Sequence, residues 1–359
     1  MYSRQEIIDL LTRAPLAEVI NEADSVRREF CGDEVHLRAI IEFSNVCIRT
    51  CDYCGLRGPN RELNRYRMSV DEVVETARNA RQHGLRTIVL QSGEDPRTTT
   101  EEVCEMVRQI KAFGDTAVTL SLGLRSIDDY RTFREAGADR YLMKEETADE
   151  RLYARLHNGL SLTPRITCLS TLKSLGYQVG GGVIVGLPGQ TAGAIADSLI
   201  FARDIALDMY AVGPFIPHPA TPLHDSDPPS IDESIRVLAT ARIVLQDAHL
   251  PATSALQALH PSGWLIGLLA GANVIMSLAT PAKYRQDYAI YPNPGRITED
   301  NVRLDTIRAA IEAAGRTRGT GVGDSLKRTP RPGAIGGDTV TEIGAVSYER
   351  YVDAVNAGK

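Results

Sequence analysis

The chain has 359 residues, a formal net charge of -6, 43% hydrophobic residues and 24% charged residues. This composition is ordinary for a globular protein and gives no electrostatic reason to expect nucleic acid or an anionic membrane as a partner. No apolar run is long enough to cross a bilayer, and the N-terminal segment mixes charged with apolar side chains and has no signal-peptide core. We therefore expect a cytoplasmic protein that does not bind membranes.

From residue 38 onward, short apolar runs alternate with segments of helical periodicity. We predict eight strands, at Ala39–Ser44, Thr87–Gln91, Ala117–Leu122, Arg140–Met143, Gln178–Val185, Met209–Gly213, Ala252–Leu256 and Asn273–Met276. Between them we predict helices, at Val70–His83, Thr100–Phe113, Ile127–Glu135, Pro164–Leu175, Thr191–Ile205, Ile231–Ala248 and Gly263–Leu269. Ser69 and Glu72 form a capping-box pattern at the start of the first of these helices.

Eight strands that alternate with helices predict an α/β protein built as a (βα)8 TIM barrel, with a doubly wound open sheet as the alternative. Polar or glycine-rich clusters follow almost every strand, and barrel enzymes carry their functional residues at the C-terminal strand ends. We therefore expect the barrel over 38–299, after an N-terminal helical cap of one or two helices over 1–37. A C-terminal extension over 300–359 should hold a helix at 300–314 and an irregular stretch at 315–337.

Three of the six cysteines, Cys47, Cys51 and Cys54, lie within eight positions of one another. In a reducing compartment such crowding indicates metal binding rather than a disulfide. A closed zinc site takes four ligands, and no neighbouring Cys or His completes that set. Three thiolates can instead hold a four-iron cluster and leave one iron open to another ligand. We expect one 4Fe-4S cluster here, whereas Cys104 and Cys168 lie on apolar helix faces and are expected in the core.

The Cys-x3-Cys-x2-Cys spacing, with Tyr53 just before the last cysteine, resembles the radical SAM superfamily. Longer phrases between about 35 and 295 resemble the HydE family of FeFe-hydrogenase maturases nearly word for word, among them IEFSNVCIRTCDYCGLR, TIVLQSGEDP, ETADERLYARLH, GPFIPHPATPL and KYRQDYAIYP. The resemblance implies reductive cleavage of S-adenosylmethionine (SAM) to a 5′-deoxyadenosyl radical. That radical would act on a small sulfur-containing or organometallic precursor of the hydrogenase H-cluster. A ferredoxin or flavodoxin as electron donor and the other hydrogenase maturases are the further partners that it implies.

The same resemblance assigns residues to two sites. SAM would be bound by Tyr53, Gln91, Ser92, Gly93, Glu94, Lys144, Glu146, Arg165, Gly186 and Leu187. Within that set, carboxylates would accept hydrogen bonds from the SAM ammonium, and Arg165 would bind the SAM carboxylate. The catalytic cavity around the precursor would be lined by Arg38, Ser92, Thr119, Thr253, Ser254, Met276, Tyr288 and Tyr291.

Three features depart from the HydE pattern. Lys144 stands where the pattern usually has Arg, Leu124 stands where an acidic residue is common, and no cysteine for a second cluster follows Cys168. The first two leave open a different small substrate, as in a radical SAM mutase or sulfur-insertion enzyme resembling methylornithine synthase or biotin synthase. An iron–sulfur scaffold or electron carrier is the non-enzyme alternative. A scaffold needs no SAM site, so the residues assigned to SAM argue against it.

Overall fold

The computed structural model describes residues 1–292, 304–328 and 341–357. In this part of the chain the strands are β1 Glu34–Ser44, β2 Thr87–Ser92, β3 Ala117–Ser121, β4 Arg140–Leu142, β5 Gln178–Val185, β6 Met209–Pro214, β7 Pro251–Ala252, β8 Val274–Leu278 and β9 Thr317–Arg318. The helices are α1 Arg4–Thr12, α2 Leu16–Cys31, α3 Val70–Gln82, α4 Thr100–Lys111, α5 Ile127–Glu135, α6 Glu150–Leu156, α7 Thr163–Ser174, α8 Ala192–Asp204, α9 Ile231–Leu245, α10 Ser254–Leu259, α11 Gly263–Leu269, α12 Ala282–Arg285, α13 Leu304–Ala313 and α14 Thr341–Ala357. None of these described helices has both the length and the apolar character that a bilayer crossing requires.

The first eight strands form one parallel sheet in the order β6-β5-β4-β3-β2-β1-β8-β7. The two ends of this sheet approach each other just before β7, where the backbone N–H of Tyr210 donates to His249 O at 3.0 Å and that of His249 donates to Asp208 O at 2.9 Å. The sheet therefore curls into a nearly closed barrel, and the predicted TIM-barrel architecture is confirmed over the open-sheet alternative.

The prediction for the seventh strand is wrong over most of its length. β7 stops at Ala252, and helix α10 begins at Ser254 instead of a continuing strand. The reason is local, because the Thr253 side chain accepts a hydrogen bond from the backbone N–H of Leu256 and so caps a helix start. Sequence reasoning also missed α6, α10, α12 and α14.

Helices surround the barrel, several begin with a reciprocal capping box, and the one that the sequence predicts, at α3, is confirmed. At α3 the Ser69 hydroxyl accepts from the Glu72 N–H at 3.2 Å, and the Glu72 carboxylate accepts from the Ser69 N–H at 3.0 Å. The two N-terminal helices pack on the outside, α1 against α8 and α9, and α2 against α9 and α14. The domain limits stay predictions, and the limit between 299 and 300 lies outside the described residues, as do 300–303 of the predicted helix and 329–337 of the predicted irregular stretch.

The N-terminal end of the barrel is blocked by the segment 322–325. The buried guanidinium of Arg140 donates to the carbonyls of Val322 and Gly323 at 2.9 and 3.0 Å and pairs with Asp324 at 3.0 Å. The Thr87 hydroxyl adds a hydrogen bond to Val322 O at 2.7 Å. Because this end is filled, the barrel interior opens at the C-terminal ends of the strands, as in barrel enzymes.

Candidate active site at the mouth of the barrel

A cavity of about 550 Å³ occupies the part of the barrel interior that opens at the C-terminal ends of the strands, which we call the mouth of the barrel. Most of the residues assigned from the sequence line it: Cys47, Cys51, Tyr53, Cys54, Gln91, Ser92, Gly93, Glu94, Lys144, Glu146, Arg165, Thr253, Ser254, Met276, Tyr288 and Tyr291. They come from strands and loops far apart in the chain. The parallel barrel brings them together because they lie in its strands or in the segments that follow the C-terminal strand ends, which meet at one end of the barrel.

The cysteine loop after β1 lies against the loop after β2. The backbone N–H of Ile48 donates to Glu94 O at 3.1 Å, and a Cβ at Gly93 would lie only 2.4 Å from Val46 O. A side chain at Gly93 would push the two loops apart, so glycine here permits close backbone approach. The loop that carries the thiols is thereby held in place by the Gln-Ser-Gly-Glu-Asp segment.

The three thiols lie in one cavity wall and are mostly shielded from solvent. Burial raises the pKa of each above its ordinary 9.0, that of Cys51 to about 11. Among the residues that the structure describes, no three His, Cys, Asp or Glu side chains are placed to hold a single metal ion. A four-iron cluster needs a different arrangement of ligands. Each cysteine binds a different iron, so the three sulfur atoms do not have to converge on one metal ion. The donor set therefore fits a cluster better than a lone ion.

Glu94 lies between two guanidinium groups in the cavity wall. Arg49, from within the cysteine loop, donates to its carboxylate, and Arg165 Nη2 lies 3.5 Å from Glu94 Oε1. Arg165 is further held by Lys144 O, which accepts from its Nη1 at 2.9 Å, and by the Tyr153 hydroxyl at 3.2 Å from its Nε. The α7 guanidinium is thus oriented from three sides at the edge of the cavity.

Lys144 and Glu146 form a second ion pair, with Nζ 2.7 Å from Oε2. Glu146 has a left-handed backbone with φ of 65°, which is unusual for a residue with a side chain. That conformation is held by hydrogen bonds from the Glu146 N–H to Gly182 O and from the Ile184 N–H to Glu146 O. β5 therefore fixes the turn that directs this carboxylate to the cavity.

Four assigned residues do not line the cavity. Gly186, with φ of 84°, and Leu187 lie behind the wall, where Leu187 packs in a satellite cluster with Leu152, Leu156 and Phe215. Arg38 and Thr119 are buried deeper in the barrel. Arg38 Nη1 lies 2.8 Å from Met209 Sδ, and its Nη2 is 3.5 Å from Gly323 O of the segment that blocks the barrel. Leu124 packs against the main core instead of facing the cavity.

Sequence reasoning missed charged residues in the same wall. Glu42, Arg49 and Arg285 line the cavity, and Glu42 and Arg285 are almost fully buried. Glu42 could have been found, because it follows Arg38 and Ile40 at the alternate spacing that puts side chains on one face of β1. Arg285 had no such signal, because its short helix α12 was not predicted.

Comparison with known proteins agrees with this geometry. The radical SAM superfamily profile matches residues 41–202. The chain is 48% identical over 298 residues to the [FeFe] hydrogenase maturase subunit HydE of Thermotoga maritima. This alignment covers 83% of this chain and 85% of that protein. It is 27% identical to the 3-methylornithine synthase of Methanosarcina barkeri over 79% of this chain and 81% of that one. A crystal structure of methylornithine synthase (PylB) superposes with a TM-score of 0.78 at 26% identity, covering 88% of this chain and 94% of that chain.

Proposed function

The chain belongs to the HydE family of the radical SAM superfamily, and on that basis we propose that its cavity binds one 4Fe-4S cluster and SAM to carry out a step of [FeFe]-hydrogenase maturation. It is a radical SAM enzyme of hydrogenase maturation. One observation carries the residue assignments: Cys47, Cys51 and Cys54 line the same cavity as Glu94, Glu146 and Arg165. The thiols and the charged groups for SAM therefore serve a common site.

The cluster would be held by the thiolates of Cys47, Cys51 and Cys54. Cysteines that bind three of four irons leave one iron for the amino and carboxylate groups of SAM. When bound, this pair of cofactors supplies a 5′-deoxyadenosyl radical by reductive cleavage of a carbon–sulfur bond in SAM. The protein contributes the burial of the loop, which limits solvent access and thereby influences the reduction potential.

SAM carries an ammonium and a carboxylate on the same carbon, and the cavity wall offers groups of opposite charge to both. Glu94 and Glu146 would accept hydrogen bonds from the N–H groups of the SAM amino group, and Arg165 and Lys144 would bind the carboxylate. The Arg165–Glu94 and Lys144–Glu146 pairs already keep these four side chains near one another. The N–H groups and the carboxylate of SAM would replace the mutual contacts of the two pairs with new hydrogen bonds.

The precursor would occupy the cavity beyond SAM, between the β7–α10 turn and the segment after α12. Two polar pairs lie there: Ser254 Oγ is 2.8 Å from the Tyr291 hydroxyl, and Gln91 Nε2 donates to the Tyr288 hydroxyl at 3.0 Å. Thr253 and Met276 complete this wall. A small sulfur-containing or organometallic precursor suits such a mixture of hydroxyl groups and a polarizable thioether.

A ferredoxin or flavodoxin would deliver the electron at the cysteine loop, and the other maturases would supply or receive the metal precursor. Ile48, next to Cys47, is 58% exposed although it is a large apolar residue. An apolar side chain beside the cluster ligands is suited to a transient contact with an electron carrier. This face offers the donor a short path to the cluster.

The proposal is tested by anaerobic reconstitution with iron and sulfide, reduction, and addition of SAM. We expect 5′-deoxyadenosine from the wild type and none from Cys51→Ala, with Cys31→Ala as the matched control, since Cys31 lies outside the cavity near Gln246 O. A maturation mixture that contains hydrogenase apoprotein and the other maturases should then yield active hydrogenase only when this chain is added. Cleavage of SAM without restored hydrogenase would overturn the maturation role and favour a relative such as the methylornithine synthases.

A further inference from the structure

The short helix α6 is joined to the cysteine loop by three consecutive residues at its C-terminal end. Leu156 O accepts from the Asp52 N–H at 2.9 Å, His157 Nε2 lies 2.9 Å from the Tyr53 hydroxyl, and Asn158 Nδ2 donates to Thr50 Oγ1 at 2.8 Å. The loop segment between the first and third cysteines is therefore clamped along its length. Only the middle contact uses a side chain of the loop that also lines the cavity.

The chemistry of that middle contact is fixed by the other nitrogen of the imidazole. His157 Nδ1 lies 2.8 Å from the carbonyl oxygen of Tyr153, which can only accept, so Nδ1 carries the proton. His157 is 2% exposed, and burial lowers its pKa below the ordinary 6.5, which favours the neutral ring. Nε2 is then an acceptor, and the Tyr53 hydroxyl donates to it.

The same imidazole connects Tyr53 with the group assigned to the SAM carboxylate. Its ring stacks on Tyr153, with 3.9 Å between the ring centroids and 17° between the planes. The Tyr153 hydroxyl in turn accepts from Arg165 Nε at 3.2 Å. One chain of contacts therefore runs from the cysteine loop through Tyr53, His157 and Tyr153 to Arg165.

We propose that His157 is a positioning residue. Through its hydrogen bond to Tyr53 and its stacking on Tyr153 it fixes the position of the cysteine loop relative to the Arg165 guanidinium. The inference rests on the proposed function, because it names how the two halves of the SAM site are aligned. His157 itself does not line the cavity. Its effect is on geometry, since a binding group displaced by about 1 Å loses much of its contribution.

Three variants of the reconstituted protein distinguish this positioning role from the alternative, in which His157 only fills space under the loop. His157→Phe keeps an aromatic ring to stack on Tyr153 but cannot accept the Tyr53 hydrogen bond. His157→Gln offers an amide oxygen that can accept it. His260→Phe is the matched control, because His260 is also a buried histidine at a helix end, with Nε2 3.1 Å from Val355 O and no part in the cavity lining.

Three quantities are measured for each variant: iron content, the SAM dissociation constant, and the change that SAM causes in the electron paramagnetic resonance spectrum of the reduced cluster. His157→Phe should retain the wild-type iron content but bind SAM about tenfold more weakly, which is about 1.4 kcal/mol. Its spectrum should respond incompletely to SAM at saturating concentration. His157→Gln should recover most of the affinity, and His260→Phe should match the wild type.

A double variant measures whether His157 acts through Tyr53. The combination of Tyr53→Phe with His157→Phe should lose no more affinity than Tyr53→Phe alone, because Tyr53→Phe already removes the hydrogen bond through which His157 would act. Wild-type SAM affinity in His157→Phe, equal damage in His157→Phe and His157→Gln, or additive losses in the double variant would each overturn the inference. If His157→Phe does not fold, Tyr53→Phe decides, and unchanged SAM binding in it rejects the inference. A wild-type chain that takes up no cluster would instead reject the proposed function itself.

Discussion

Glu94 and Gly123 meet between the ends of two neighbouring strands: a Cβ built on Gly123 would lie 2.1 Å from Glu94 Cγ. Gly123 has φ of 69°, a left-handed conformation that glycine adopts without steric cost. Gly123, two residues after the end of β3, therefore leaves the space in which the Glu94 side chain lies between Arg49 and Arg165. The Ser-Leu-Gly turn therefore determines the position of the Glu94 carboxylate, although the turn itself carries no charged side chain.

The first prediction is that Gly123→Ala displaces Glu94 and weakens SAM binding about tenfold with the cluster retained. Gly176→Ala is the matched control, because Gly176 has φ of 79° and a Cβ added there would meet nothing within 4 Å, so it shares the backbone strain of about 1–2 kcal/mol without the collision. Thermal midpoints should fall in both variants, and further in Gly123→Ala because of the added collision, whereas SAM affinity should fall only in Gly123→Ala. Equal SAM binding in the two variants would show that Glu94 takes no part.

The second prediction concerns the cluster ligands. Because each cysteine would bind a separate iron of the proposed cluster, Cys51→Ala should lose the visible absorbance of the cluster and all SAM cleavage. Cys104→Ala is the control, since Cys104 is fully buried in α4 and remote from the cavity lining. Absorbance spectra and product analysis after anaerobic reconstitution check both variants. A Cys51→Ala protein with full cluster and activity contradicts the ligand assignment.

The third prediction is a stoichiometry. No cysteine follows Cys168 in the sequence, so the three-cysteine loop is the cluster site we expect, and reconstitution should give about four irons per chain. Iron and sulfide analysis of the purified protein measures this number. A reproducible value near eight would reveal a second site.

Much of the barrel followed from sequence because its signals are local. Strand β5 and helices α5 and α11 begin and end where periodicity predicted. β7 failed, because two residues of strand are too few for a periodic signal, and the Thr253 cap is a local hydrogen bond that favours helix. The helix α6 was missed for a similar reason, since seven residues give less than two turns of pattern.

The site was predictable where the chain gathers residues in short motifs. The three cysteines were assigned from their close spacing, whereas Glu94, Glu146 and Arg165, which line the same cavity, were assigned from resemblance to a family and not from periodicity. What sequence could not give is the depth of each residue in the barrel. Arg38 lies against the segment 322–325, nearly three hundred positions away in the chain, and no local pattern predicts that contact.

The fourth prediction concerns pH and a buried carboxyl group. Glu145 is fully buried, and burial raises its pKa from 4.5 to about 7, opposed by hydrogen bonds from the Gly182 N–H and the Tyr210 hydroxyl. Because the folded state holds this proton more tightly than the unfolded state, its contribution to stability is present below pH 4.5 and is lost as pH rises through 7. Glu145→Gln resembles the protonated form, so its thermal midpoint relative to wild type should rise between pH 6 and pH 8. A difference that is constant with pH would contradict the assignment.

The fifth prediction separates the two cations assigned to the SAM carboxylate. A guanidinium can bind a carboxylate with two parallel hydrogen bonds, whereas an ammonium acts as a point charge. Arg165 is also fixed by Lys144 O and the Tyr153 hydroxyl, while Lys144 is paired with Glu146. Arg165→Ala should therefore cost about 2–4 kcal/mol of SAM binding, more than tenfold in affinity, and leave the cluster spectrum intact.

Lys144→Ala should cost less, because the group that it frees, Glu146, can still accept hydrogen bonds from the SAM amino group. Lys144→Arg is the informative companion, since it restores the residue usual in the HydE pattern and should bind SAM at least as well as the wild type. Dissociation constants for the three variants, measured with the cluster in place, rank the cations. If Lys144→Ala abolishes binding and Arg165→Ala does not, the two roles are exchanged. If none of the three changes affinity, the carboxylate is bound elsewhere, and the assignment of the neighbouring precursor site loses its support as well.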